Sequence, residues 1–258
     1  PVGGIIGDQQ ASLFGQIAFE KGMMKCTYGT GSFVLMNIGN RPIITENLLT
    51  TIAWGLKSGE VSYAIEGSAF TSGSAIDWLI NNIGLLKSIN EVREIMETTP
   101  ACNGVYFIPA LLGLGAPYWD LKVKGAFLGL RRDTTKLHLV RAVLESIAYI
   151  VRDIVEDIKR EVKVDIRELR VDGGLSRIDP LMQFQADILG VNVVRPKVIE
   201  TTLLGVVYLA GLAANIWQNL HVLKDLWEIG EIFKPKMDKY LREKLYRGWK
   251  KAIEKILN

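Results

Sequence analysis

The segment KCTYGTGSFVLMN, residues 25–37, predicts two short strands joined by a glycine-bearing turn. Residues 25–28 and 33–37 are rich in the apolar, aromatic and β-branched side chains that strands favour. The same composition predicts further strands at 50–54 and 61–66, again bounded by glycine-bearing turns. Four short strands in a row, with so little chain between them, are expected to lie side by side as antiparallel neighbours.

Beyond residue 70 the pattern changes to alternating helices and strands. Helical spacing runs through Asp77, Trp78 and Leu79, breaks at Gly84 and resumes over 91–96. The elements predicted after that are a strand at 105–109, a long helix from a cap at Asp133 or Thr134 to about 161, a strand at 166–171, a helix at 181–189, a strand at 191–195, a helix at 202–216 and a terminal helix. A clustered antiparallel set followed by this alternation predicts an α/β fold with a mixed sheet flanked by helices.

Residues 113–133 interrupt that alternation. They carry five glycines or prolines and little periodicity, which predicts a long loop, with a short strand at 126–128 as an alternative for part of it. Loops of this length within a compact domain tend to be functional.

Length and composition fit an ordered chain of one large domain or two small ones, and with no internal repeat or low-complexity tract we expect no domain boundary inside it. The chain has 258 residues, 48% of them hydrophobic, which is enough to bury a substantial core. The longest apolar helical stretch, about 137–158, is interrupted by charged residues, among them Arg141, Glu145, Arg152 and Asp153, and predicts a core helix rather than a membrane span. Two widely spaced cysteines suggest neither a disulfide framework nor a zinc site, so a reducing cytoplasm is expected. The chain begins at Pro1 with no signal-peptide pattern, and we expect it to be a piece of a longer protein.

Positive charge is concentrated at the carboxy terminus. Residues 234–258 hold nine Lys or Arg against three acidic residues, within a chain whose net charge is only +3. A nucleic-acid patch is one interpretation of such a run. Apolar residues recur at helical spacing through the same stretch, which favours the solvated face of a docked helix instead.

Asp8 is the first candidate for chemistry. It follows the apolar run 5–7 and precedes a predicted helix over 9–19. One interpretation is a helix N-cap, since Asp is among the commonest caps. The other is a general base, because the positive end of a helix keeps a carboxylate ionised.

Three glycine-bearing turns are candidates for contacts to phosphate. The turn at 28–32, with Thr30 at its centre, is either a plain hairpin or a backbone able to approach a polyphosphate. Gly174 follows a predicted strand, and Gly73 lies near a predicted helix start, so each offers the same choice between a ligand contact and a structural turn. Neither a G-x-G-x-x-G fingerprint nor a Walker A sequence is present, so a nucleotide site would be of another type.

The remaining polar residues have simpler interpretations. His138 and His221 stand alone on helical stretches, and no Cys or His cluster accompanies them, so no metal ligand is predicted. Arg141 and Glu145 are four residues apart on one helix and are expected to form an ion pair.

Six blocks, in order over nearly the whole chain, resemble one family. They are GDQQA at 7–11, TYGTG at 27–31, LLTTIAW at 48–54, GLGAPYWD at 113–120, LRVDGG at 169–174 and LMQFQAD at 181–187. Together they resemble the carboxy-terminal domain of the glycerol kinases, members of the FGGY carbohydrate kinases with the actin-like ATPase fold, which is related to ribonuclease H. The resemblance implies that residues 1–258 are one nucleotide-side domain.

The resemblance also implies a reaction, the transfer of phosphate from ATP to glycerol with Mg²⁺, giving ADP and glycerol 3-phosphate. Asp8 matches the family's catalytic base, and it also contacts the substrate. Gln9 and Phe33 match further contacts to the polyol. Nucleotide contacts are matched by Thr30, Gly73, Asp77, Gly174 and Ile178.

Two of these positions depart from the family's usual residues. Asp77 stands where glycerol kinases commonly have glutamine, and Ile178 where they commonly have asparagine near the adenine. The family's amino-terminal domain, which supplies the first phosphate loop, the Mg²⁺-binding aspartate and most polyol contacts, does not match any part of this sequence. We therefore expect this chain alone to lack kinase activity.

Two alternative functions stay open at this point. One is a kinase of the same family for another polyol or for a sugar such as a pentulose. The other is a non-catalytic ATP-binding module with the actin-like fold. The resemblance further implies a homo-oligomer when the protein is complete, with neither nucleic acid nor membrane as a partner.

Overall fold

A computed structural model describes residues 2–57, 59–99 and 101–257 of the chain. The α-helices are α1 Asp8–Gly15, α2 Gly73–Asn81, α3 Asn90–Thr98, α4 Lys136–Val162, α5 Asp179–Leu189, α6 Thr201–Ala213, α7 Leu220–Lys224 and α8 Lys239–Leu257. The strands are β1 Met24–Tyr28, β2 Ser32–Gly39, β3 Leu49–Gly55, β4 Val61–Ala69, β5 Tyr106–Ile108, β6 Ala126–Leu128, β7 Glu168–Asp172, β8 Asn192–Pro196 and β9 Ile229–Phe233. A 3₁₀ turn at Gly174–Arg177 follows β7.

Seven of these strands form one mixed sheet in the order β3-β4-β2-β1-β7-β8-β9. The first four strands along the chain pair antiparallel, as the sequence predicts. β7 then pairs parallel to β1, with Thr27 opposite Asp172, and β8 pairs parallel to β7. The predicted α/β fold with a mixed sheet flanked by helices is therefore confirmed, and β1 lies at its centre.

The two faces of the sheet are covered by different helices. On one face the long helix α4 packs against β2 and β4 and joins the larger core, to which β1 contributes Cys26 and Tyr28. On the other face α1 packs against β1, β2 and β3 and against α6. Because side chains alternate along a strand, Lys25 and Thr27 of β1 point to the α1 side. That alternation brings polar residues of β1 under the start of α1.

Several predicted boundaries are wrong by a few residues. α1 ends at Gly15 rather than near 19, and Ile17 beyond it has a φ of 54°. The cap of α4 is Thr135, whose side chain and that of His138 form a reciprocal capping box, rather than Asp133 or Thr134. His138 therefore has a structural role in starting the long helix.

Three elements were missed by sequence reasoning: the 3₁₀ turn after β7, the five-residue helix α7 and the edge strand β9. Four of the five residues of β9 are exposed, so the strand shows no apolar alternation. The short strand β6 is present inside the long loop of residues 113–133 and pairs with β5.

The predicted ion pair between Arg141 and Glu145 is confirmed. The Arg141 Nε lies 2.7 Å from Glu145 Oε1, and both side chains are buried. Arg141 also donates to the carbonyl oxygens of Met96 and Thr99, so it ties α4 to the end of α3.

The carboxy-terminal helix α8 docks on the protein, as the apolar spacing predicts. Trp249, Ala252 and Ile253 are buried, and the basic residues occupy the rest of the helix surface. Cys26 and Cys102 are free thiols in the core. Among the described residues, no helix combines the length and apolar character required to cross a bilayer.

Candidate functional site

A cleft of about 200 Å³ opens where β1 and β7 end side by side. Its walls come from the turn after β1, the turn after β7, the first residues of α2 and the approach to α3. The lining residues are Tyr28, Gly29, Thr30, Gly73, Asp77, Ile89, Gly174 and Leu175. Crevices at the carboxyl ends of parallel strands are the usual ligand sites of α/β sheets.

The structure thus brings together four of the residues named from the sequence: Thr30, Gly73, Asp77 and Gly174. The turn between β1 and β2 is a hairpin, as one interpretation held, and it also borders the cleft. Three backbone amides at the start of α2 fix this turn: Gly73 N donates to Gly29 O at 2.9 Å, and Ser72 N and Ser74 N donate to Thr30 O.

The glycines around the cleft have different physical roles. A methyl group at Gly73 would lie 2.6 Å from the Gly29 carbonyl oxygen, and one at Gly173 would lie 2.5 Å from that of Tyr28. Gly173 also has a φ of +83°, which side chains rarely tolerate. At Gly174, by contrast, an added methyl group would meet nothing within 4 Å. Gly73 and Gly173 are therefore required by packing, while Gly174 leaves space in the cleft itself.

Asp8 is the first residue of α1, and its side chain is exposed. The N-cap is Gly7, so the interpretation of Asp8 as a simple cap is wrong. Its Oδ1 accepts from the backbone N–H of Gln9 at 2.8 Å, and its Oδ2 accepts from the Gln9 side chain at 3.3 Å. Each carboxylate oxygen keeps further acceptor capacity, so the group can receive a proton donor from solvent or a ligand.

Gln9 and Phe33 lie on the same side of the sheet as Asp8. The Gln9 Oε1 accepts from the Lys25 ammonium group at 2.6 Å. Phe33 stands opposite Thr27 in the β1–β2 register. Its partly buried ring packs on a second, smaller hydrophobic core beneath α1, which includes Leu13, Phe14 and Trp54.

Ile178 is placed differently from the other named positions. It is only 8% exposed, packs in the larger core and precedes α5. It does not border the cleft, where Ile89 and Leu175 supply the apolar surface instead. A contact between Ile178 and a nucleotide stays a prediction.

A buried polar network behind Asp8 was missed by sequence reasoning. Asp172 is 1% exposed, and its Oδ2 accepts from Ser12 Oγ at 2.9 Å and from Gln16 Nε2 at 2.8 Å. Lys25 is fully buried and donates to Thr27 Oγ1 at 2.7 Å. The two-residue spacing of Lys25 and Thr27 indicated a shared strand face, but nothing in the sequence showed that α1 covers that face.

The described residues offer no group of three or more His, Cys, Asp or Glu side chains suited to holding a metal ion. Mg²⁺ commonly needs only one or two carboxylates in addition to substrate phosphates and water. The Mg²⁺ that the family resemblance implies therefore has no dedicated cage in this part of the chain.

Comparison with known proteins is consistent across sequence and structure. Residues 24–214 match the model of the FGGY family of carbohydrate kinases, C-terminal domain. Glycerol kinase of Thermococcus onnurineus is 54% identical over 257 residues, covering 100% of this chain and 52% of that protein. Glycerol kinase 2 of Saccharolobus solfataricus is 51% identical, with 100% and 52% covered. The chain thus spans about half the length of the curated relatives it matches.

Solved structures agree on the fold. Plasmodium falciparum glycerol kinase, solved with ADP, superposes with a TM-score of 0.92 at 38% identity, over 99% of this chain and 51% of that one. Gluconate kinase from Lactobacillus acidophilus superposes with a TM-score of 0.84 at 21% identity, over 96% and 50%, a likeness of fold alone. The chain belongs to the FGGY family of carbohydrate kinases, and residues 24–214 correspond to the family's C-terminal domain.

Proposed function

We propose that this chain is the nucleotide-side domain of a glycerol kinase, which needs a preceding domain to act. The observation that carries the proposal is the pairing of an exposed, oriented carboxylate at Asp8 with a glycine-walled cleft at the other end of the same hydrogen-bonded core. The cleft suits phosphate groups, and the carboxylate suits a hydroxyl substrate. The similarity to glycerol kinases along the full chain supports glycerol as that substrate.

The cleft would take part of an ATP or ADP molecule. Its volume of about 200 Å³ is below the roughly 300–1,000 Å³ typical of sites that enclose a small ligand. Thr30, Gly73 and Gly174 would approach the phosphates closely, and the exposed carboxylate of Asp77 would face the nucleoside. The remainder of the nucleotide and the far side of glycerol would be enclosed by the preceding domain.

In the proposed reaction a terminal hydroxyl oxygen of glycerol attacks the γ-phosphorus of ATP. The new O–P bond forms as the bond to the β-phosphate oxygen breaks, and ADP leaves. The hydroxyl proton passes to the Asp8 carboxylate. Gln9 donates one hydrogen bond to each oxygen of that carboxylate. If Mg²⁺ is bound with the nucleotide, it would supply positive charge beside the phosphates. This chain supplies the base, the cleft wall and the partly exposed Phe33 ring against the carbon backbone of the polyol.

Replacement of Asp8 by Asn in the full-length protein tests this assignment. Loss of a positioned general base is expected to lower kcat with glycerol by about 100-fold or more, while ADP affinity stays near the wild-type value. Asp165→Asn, at an exposed position, is the matched control and should leave both quantities unchanged. The isolated chain, expected to have no turnover, is the blank.

The same assay decides the substrate. Comparison of kcat/KM for glycerol, xylulose and gluconate should favour glycerol. A preference for xylulose or gluconate would instead assign the protein as a kinase of the same family that acts on another substrate. Nucleotide binding without transfer to any of the three would favour a non-catalytic module.

Cellular location and assembly remain predictions. Two free, buried thiols suit a reducing cytoplasm, and burial raises the pKa of Cys26 to about 12, which keeps it protonated. The homo-oligomer implied by the family resemblance can be measured by light scattering of the full-length protein.

A further inference from the structure

Lys25 is a buried cation in the middle of the sheet, where the loss of hydration of an ammonium group costs free energy. Its side chain is fully buried between β1 and α1. Burial lowers the pKa of Lys25, while the neighbouring carboxylates of Asp172, Glu66 and Asp8 act in the opposite direction and favour the charged form. A protein rarely retains such a residue unless its hydrogen bonds have a specific purpose.

The hydrogen bonds of Lys25 fix the orientation of Gln9. An ammonium group donates and never accepts, so the Gln9 side chain must present its oxygen to Lys25, as it does at 2.6 Å. The Gln9 NH₂ group is then directed away from Lys25 and donates to Asp8 Oδ2 at 3.3 Å. Without the cation, the carboxamide could turn by 180° and place its oxygen against the Asp8 carboxylate.

A second chain of hydrogen bonds runs from the same ammonium group toward the cleft. Thr27 Oγ1 accepts from Lys25 at 2.7 Å and so can donate to Ser12 Oγ, 3.1 Å away. Ser12 in turn donates to Asp172 Oδ2 at 2.9 Å. Asp172 directly precedes Gly173 and Gly174, so this chain of hydrogen bonds ends at the base of the turn that lines the cleft.

We propose that Lys25 is a positioning residue: its buried ammonium group orients Gln9 and, through Gln9, the Asp8 carboxylate, and it ties both to Asp172 beneath the glycine turn. The proposal rests on the proposed function of Asp8 as general base. Lys25 is fully buried, so it acts through the residues it orients. Errors of about 1 Å in the placement of reacting groups can cost about 100-fold in rate, so the expected effect is on turnover.

The test is a double-mutant cycle in the full-length kinase with Lys25→Met and Gln9→Leu. Lys25→Met should lower kcat at saturating glycerol and ATP by about 10- to 100-fold, with the Kd for ADP nearly unchanged. Lys21→Met, at an exposed lysine four residues earlier, is the control and should match the wild type. If Lys25 acts through Gln9, adding Lys25→Met to Gln9→Leu should cost no more than about twofold further.

Multiplicative effects of the two substitutions, or a Lys25→Met enzyme with wild-type kcat, would overturn the proposal. Should Lys25→Met fail to fold, Gln9→Leu alone decides, because it leaves the buried cation and its bond to Thr27 in place. It should lower kcat, and not merely raise KM for glycerol, by about tenfold or more; a kcat within about twofold of wild type overturns the proposal.

Asp8→Asn in the same series distinguishes a failure of the proposed role of Asp8 from a failure of the proposed role of Lys25. An Asp8→Asn enzyme that still turns over would remove the proposed function of Asp8 itself. An inactive Asp8→Asn enzyme together with an unaffected Lys25→Met enzyme would remove only the role of Lys25.

Discussion

At the scale of single residues, glycines of similar appearance in the sequence have separable roles. Gly173 carries a positive φ and touches the backbone of Tyr28, whereas Gly174 faces open space in the cleft. One glycine is therefore needed for folding and the next for access to a ligand.

This difference predicts opposite outcomes for two neighbouring substitutions. Gly174→Val should place its side chain in the cleft and weaken ADP binding by about tenfold or more, with a change in unfolding free energy within about 0.5 kcal/mol. Gly173→Ala should instead destabilise the fold by about 1–3 kcal/mol, because it strains φ and crowds Tyr28. Calorimetric titration with ADP and urea unfolding measure the two effects.

Gly55→Val is the control for the first substitution. Gly55 also has open space around it, but it lies on β3, away from the cleft. Unchanged ADP affinity in Gly174→Val, or the same loss in Gly55→Val, would contradict a ligand site at this turn.

Part of the site can be predicted from local sequence patterns, and the rest cannot, for a physical reason. Asp8 and the turns around Thr30 and Gly174 carry local signals, a carboxylate at a helix start and glycines after strands. Lys25 and Asp172 join one hydrogen-bonded network only when α1 covers β1 and β7 pairs parallel to β1. Such pairing over more than a hundred residues leaves no local pattern.

At the scale of elements, the same contrast between local and long-range information holds. The antiparallel strands β1–β4 and the long helix α4 follow from composition and periodicity and were predicted closely. The edge strand β9 was missed because it lacks an apolar face, and the parallel pairing of β7 with β1 depends on the whole fold.

One buried carboxylate contributes to the docking of α8 on α4, beside the ion pair of Arg152 with Glu243. Asp153 on α4 accepts from Trp249 Nε1 and Tyr118 OH, each at 2.7 Å, and from Tyr246 OH at 2.6 Å. Lys250 lies farther away, at 3.4 Å. Three neutral donors thus converge on a single acidic side chain, and two of them, Tyr246 and Trp249, belong to the terminal helix.

Removal of that acceptor should loosen the helix. Asp153→Ala leaves the buried Trp249 N–H and two partly buried tyrosine hydroxyls without this acceptor, and it is expected to cost about 1–3 kcal/mol or more of unfolding free energy. Lys250→Met removes a partly exposed ammonium group that lies 3.4 Å from Asp153 and donates to Tyr118 OH at 2.9 Å, and it should cost less than about 1 kcal/mol. Urea unfolding followed by tryptophan fluorescence measures both; an Asp153→Ala cost no larger than that of Lys250→Met would contradict this role of the carboxylate.

At the scale of the whole molecule, one sheet carries both parts of the candidate site. Helix α1 sets Asp8 on one face, and the turns after β1 and β7 form the cleft at the sheet's carboxyl end. The buried network of Lys25, Ser12 and Asp172 joins the two parts. The chain spans about half the length of the curated relatives it matches, and under the proposed function the remaining walls of the site are assigned to a preceding domain.

A crystal structure of the full-length protein with ADP and glycerol tests the central claim most directly. We expect a terminal hydroxyl of glycerol within about 2.6–3.2 Å of the Asp8 carboxylate, with the β-phosphate of ADP against the backbone of Thr30 and Gly174. Glycerol bound away from Asp8, or nucleotide phosphates bound outside the cleft between Gly29 and Gly174, would contradict the assignment.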